Sequence, residues 1–93
     1  MTDKNTYIQK QEAQLEEWQA KIDVLKAKAK QAQADTKMDL EHSIKQIEAA
    51  REAASNKIAE MRRSDDSTWQ RVKSDVESAV DNLKQAMSRL TSK

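Results

Sequence analysis

The sequence predicts an all-α protein, and three observations carry that prediction. The chain has no Gly and no Pro in 93 residues, where average usage would supply about eleven. The left-handed turn residue and the usual helix stop are therefore both missing. Ala, Gln, Lys, Glu and Asp dominate instead, a composition that on balance favours helix. Finally, the apolar residues recur at alternating intervals of three and four, the spacing of positions a and d of a heptad.

The first helix is expected from about residue 5, with Asp3, Asn5 and Thr6 as candidate caps. Its seam runs Ile8, Leu15, Trp18, Ile22, Leu25, Ala29 and Ala32. A second seam runs Leu40, Ile44, Ile47, Arg51, Ala54, Ile58 and Met61. Between them the steps from Ala32 to Thr36 to Leu40 are four and four, a slip that alters supercoiling or breaks the helix. Lysines before this stretch, acids after it, and a capping-box-like Thr36 with Asp39 favour a turn near 34–38. No residue suited to a left-handed cap is present, and every residue there tolerates helix. The favoured expectation is one unbroken helix over 5–62, a rod of roughly 85 Å at 1.5 Å per residue. The alternative is a monomeric three-helix bundle.

Residues 63–67 form the clearest break. Arg62 and Arg63 suit a helix C-terminus, while Asp65, Asp66 and Ser67 suit the next N-terminus, with Ser67 or Asp66 as cap. A second helix is expected over 67–91, with the stripe Trp69, Val72, Val76, Ala79, Leu83, Ala86 and Leu90 widened by Val80 and Met87. The whole chain, 1–93, thus reads as a single helical domain, a coiled-coil hairpin whose second helix folds back antiparallel. That arrangement sets Trp69 near Met61 and Ile58 and leaves the Ile8–Leu25 stripe uncovered. An uncovered apolar stripe marks an interface, so Ile8, Leu15, Trp18, Ile22, Leu25 and Trp69 are the candidate interaction residues of a homodimer. Oligomerisation also suits a short chain that has no cysteine and only three aromatic residues.

Composition excludes several function classes. Net charge is +1, and residues 1–33, 34–63 and 64–93 are each balanced to within one charge, so no basic tail exists to steer nucleic acid. Lys26, Lys28 and Lys30 lie two residues apart and ring a helix rather than lining one face. No apolar run approaches the roughly 20 residues that span a bilayer, and the N-terminus lacks an apolar signal core. A cytoplasmic protein is the expectation. The polar face of 67–91 mixes acids with bases, unlike the Lys- and Arg-rich face of a surface-seeking helix. This argues against the alternative of an amphipathic lipid-surface protein. His42 is the one histidine, too few for a transition-metal site. Nearly every carboxylate falls off the apolar stripe, in water, where nothing is expected to shift its pKa. There is no phosphate-cradling loop, nucleophile elbow or HExxH pair. No enzyme activity, cofactor or metal is expected.

Residues 7–18 (YIQKQEAQLEEW) with 21–29 (KIDVLKAKA), and residues 67–73 (STWQRVK) with 83–86 (LKQA), resemble a family of small bacterial coiled-coil proteins described as stress-response proteins. Thr68, Ser74 and Met87 stand where Ala, Gly and an aromatic are frequent in that family. The resemblance implies a cytoplasmic, non-catalytic helical protein associated with stress.

Overall fold

A computed structural model describes residues 2–65 and 67–91, with side chains over 4–65 and 67–89. Three helices account for nearly all of it: α1 (Thr2–Gln31), α2 (Ala34–Arg63) and α3 (Trp69–Thr91). Their bundle measures 51 × 20 × 17 Å, close to the ~45 Å length of one 30-residue helix. Helices α1 and α2 therefore lie side by side and not end to end.

This corrects the unbroken helix over 5–62. The chain reverses at Ala32–Gln33, ahead of the 34–38 stretch where a turn was the alternative. Thr36 and Asp39 lie within α2, both exposed, and do not cap it. The physical reason is burial. Folding α1 back sequesters Ile8, Leu15, Trp18, Ile22 and Ala29, and each large side chain so buried contributes about 1.5–3 kcal/mol. Interrupting the helix hands a few backbone groups to water, at about 0.5–1.5 kcal/mol net apiece. With four large side chains against a single break, burial wins.

The pairing of the helices follows from the stripes. Lys26 meets Glu48 at 2.5 Å, and Glu12 meets Arg62, which fixes α1 antiparallel to α2. Lys4, at the start of α1, donates to the Ser64 carbonyl at 2.6 Å and so caps the end of α2. The core is shared by all three helices: Ile22 from α1, Ile47 and Met61 from α2, and Val76 and Leu83 from α3 are essentially inaccessible. Among the described residues no polar or charged side chain is fully buried. Arg51 is half-buried on the α2 stripe, and its Nε finds no partner within the chain.

The second junction falls where the sequence places it, but with a different cap. Asp65 Oδ1 accepts from the backbone N–H of Ser67 (3.1 Å) and Thr68 (3.0 Å) and from both of their hydroxyls at 2.8 Å. A carboxylate serving the N–H groups two and three residues on is the geometry of an N-cap. Ser67 is thus capped and does not cap; Asp66 lies outside the described residues. The hydroxyl of Thr68, then that of Ser67, holds the Asp65 carboxyl below its usual range. At the other end α1 begins at Thr2, ahead of the expected start at 5, and takes Asn5 and Thr6 inside the helix as exposed residues.

Two tests follow from this packing. Ile22→Ala and Leu83→Ala should each lower unfolding free energy by about 2–5 kcal/mol, while Val24→Ala, at a side chain 55% exposed, should stay within about 0.5 kcal/mol. Equal urea midpoints for Ile22→Ala and Val24→Ala would place α1 outside the bundle. Asp65→Ala should lower the melting temperature at neutral pH. Because the folded pKa of Asp65 is depressed, its contribution is complete above the ordinary carboxylate pKa and disappears as pH falls through the folded value. The difference between wild type and variant should therefore shrink as pH falls below the ordinary carboxylate range.

Candidate functional site

The expected interaction stripe is in the core. Ile8, Leu15, Trp18 and Ile22 are between 0% and 7% exposed, and Leu25 is half-buried. The premise that a returning helix leaves this stripe open is corrected, because α2 and α3 together cover it. What remains accessible is the line along which α1 and α3 meet.

That line is closed by side chains more than by close backbone approach. At one end, half-buried Trp69 on α3 sits beside Tyr7 on α1, with ring centroids 6.2 Å apart and planes at 44°. The Lys73 ammonium lies over the Tyr7 ring, 5.2 Å from its centroid, a cation–π arrangement. One turn along α1, Gln11 follows Tyr7 on the same face. Further along, Trp18 lines two adjoining clefts between α1 and α3. One, of about 250 Å³, is bordered by Gln11, Glu77 and Val80. The other, of about 340 Å³, is bordered by Glu17, Lys21 and Lys84. All three aromatic residues of the chain therefore sit on this one line. The sequence marks Trp18 and Trp69 as seam residues; Tyr7 carries no such mark, because its role depends on α3 arriving beside it.

The electrostatics of the line are mild, with one exception. The Tyr7 hydroxyl is buried without a hydrogen-bond partner in the chain, as is Gln11 Oε1. Burial, and then the charge of Glu77, pushes the Tyr7 hydroxyl above its ordinary value near 10. A third opening, about 290 Å³, lies between α1 and α2 near the reversal, with Ala29 and Ile44 as floor and Lys26, Lys30, Glu41 and Glu48 on its rim. Hydrogen bonding to Glu48 raises the Lys26 pKa, yet both groups are well exposed, so the pair adds little to stability.

Elsewhere the side chains follow ordinary helix-surface rules. His42 Nε2 lies 3.2 Å from Gln46 Nε2, one turn on, both exposed. Among the described residues, no three His, Cys, Asp or Glu side chains converge as a metal site would require, and no helix is long and apolar enough to cross a membrane.

Tyr7→Phe should leave stability unchanged or raise it, since the buried hydroxyl has no partner in the chain to lose. A raised folded pKa means that the Tyr7 contribution is intact below about pH 10 and lost as pH rises through the folded value. The variant should thus resist alkaline melting better than wild type; a loss above about 1 kcal/mol at neutral pH would show that the hydroxyl is satisfied. Comparison of the chain with protein-family models, curated proteins and solved structures gives no match to any of the three.

Proposed function

We propose that this chain is a non-enzymatic helical interaction protein that associates with itself through its apolar coiled-coil stripe. The observation that carries this reading is the convergence of Tyr7, Trp18 and Trp69 on the α1–α3 line. Tyr and Trp supply large contact area with few rotors, and they are enriched where association energy concentrates. Here they sit on the least tightly closed boundary of the bundle, where a second chain gains most by replacing an existing contact. The resemblance of residues 7–29 and 67–86 to the stress-response family supports a cytoplasmic, stress-associated setting. The amphipathic lipid-surface alternative is less well supported. It needs α3 to turn Val76, Leu83 and Met87 outward, and these residues are buried in the bundle.

Sedimentation equilibrium tests self-association directly. The mass should rise from 10.6 kDa towards twice that value with concentration, and the melting temperature should rise with it. A mass fixed at the single-chain value, with a melt independent of concentration from about 1 µM to about 1 mM, would overturn the reading.

A further inference from the structure

The two junctions of the bundle are built differently, and the difference bears on how two chains would join. The junction at 64–68 is held by four hydrogen bonds to Asp65 Oδ1. The junction at Ala32–Gln33 has no comparable fastening. Gln33 occupies the N-cap position of α2 without a side-chain cap bond, and Ala32, Gln33, Ala34, Asp35 and Thr36 are exposed or half-exposed. No described residue has positive φ, so the reversal needs no special backbone. Gln33 already has a helical φ of −68°, and its ψ of 158° is what departs from helix; a value near −42° there would be helical.

The apolar stripe also passes through the junction in phase. At 3.6 residues per turn, the seam positions from Ile8 to Met61, including Ala32, Thr36 and Leu40, fall within an arc of about 120° on one straight helix. A hairpin alone would not require this phase relation. The four-and-four step cancels the drift that strict heptads accumulate on a straight helix.

We infer that the Ala32–Gln33 junction is a hinge through which two copies of this chain exchange α1, forming a domain-swapped dimer. The exchange presupposes the self-association proposed above and specifies its geometry. In each chain, Thr2–Arg63 straightens into one helix of roughly 93 Å. Two such helices run antiparallel about a two-fold axis near Thr36. The α1 of one chain then lies on α2 and α3 of the other, in the same antiparallel sense as in the single chain. The Lys26–Glu48 and Glu12–Arg62 pairs re-form between chains. Backbone groups at 29–36 that face water in the hairpin enter the helical ladder, and Ala32 and Thr36 come to face the second helix. Helix α3 stays on its own α2, held by the Asp65 cap.

The test uses the full chain labelled at Lys10→Cys and Glu60→Cys, two exposed positions that lie at the same end of the hairpin. In the dimer, with labelled chains diluted into unlabelled ones, electron–electron distance measurement should move from under about 30 Å to about 75 Å. Ala34→Pro should abolish the dimer while preserving the monomer's helicity and melt. Proline suits the first helical position, and extended Gln33 suits the residue before it, but a straight helix through 30–34 does not tolerate it. Thr36→Leu, at an exposed position of the monomer, should raise the dimer association constant at least tenfold. Should Ala34→Pro fail to fold by circular dichroism, the label distance and Thr36→Leu still decide the matter. A dimer whose labels stay close would overturn the exchange and leave self-association standing. A chain that remains monomeric even as Thr36→Leu would overturn both.

Discussion

The stripe that α1 presents must be buried, and within a single chain only a reversal of direction buries it. Ile8, Leu15, Trp18, Ile22 and Ala29 share one core cluster with residues of α2 and α3, and they cannot reach those helices of their own chain while the first 60 residues remain one rod. Once the reversal is made, the remaining arrangement follows. Antiparallel packing brings Lys26 to Glu48 and Glu12 to Arg62, and it leaves α3 to fill the groove between the two longer helices. Tyr7 and Trp18 then close what α3 does not reach with its backbone. The surface ion pairs are consequences of this packing and not its cause, since exposed pairs contribute little. The apolar interior sets the fold, and the charged pairs along the rim record how far one helix has slid along another.

Reversal without glycine is achieved in two different ways. After α2, the backbone N–H groups of the new helical turn are satisfied by the Asp65 carboxylate, and Lys4 reaches across from α1 to the Ser64 carbonyl. That corner is specified by side chains from two helices. After α1, one extended residue makes the break, and the last turn tightens through the Ala32 N–H bonding to the Ala29 carbonyl at 3.2 Å. That corner is specified only by what it allows α1 to bury. Its local sequence tolerates the straight form as well as the bent one, so local preference and tertiary burial compete there.

This competition decides how much of the fold was legible in the sequence. Helical content, the apolar faces and the break after Arg63 all rest on local chemistry: spacing, charge at helix ends and an acceptor two or three residues before an N–H. Those could be read. The break at 32–33 could not be fixed, because every residue there is an adequate helix former and the lysine and acid flanks suit either form. Misplacing it put Ile8 to Leu25 on the outside, when the same residues are core. The Asp65 cap was obscured by three adjacent candidate acceptors, Asp65, Asp66 and Ser67, which spacing alone does not rank. The α1–α3 line was invisible for a different reason. Tyr7 gains its meaning from Trp69 and Lys73, more than 60 positions away, and no pattern along one helix encodes that meeting.

The composition of the interior bears on whether a helix must find its own chain's partner. Buried polar groups are the usual device by which helical seams fix register and oligomeric state. Among the described residues the buried set is Ile, Leu, Val, Ala, Met and Trp. Such an interior rewards burial of an α1 stripe whichever chain supplies it. Arg51 is the polar departure on the α2 stripe, and it is half-buried. Its Nε is buried without a hydrogen-bond partner in the chain, so it forms no specific polar pair that would select one register over another. Discrimination between a hairpin and an exchanged pair therefore falls to the junction and to concentration. A junction of two residues, uncapped and in phase with the stripe on both sides, supplies little of it. Effective concentration within one chain favours the hairpin when the protein is dilute, and mass action shifts the balance as chains accumulate.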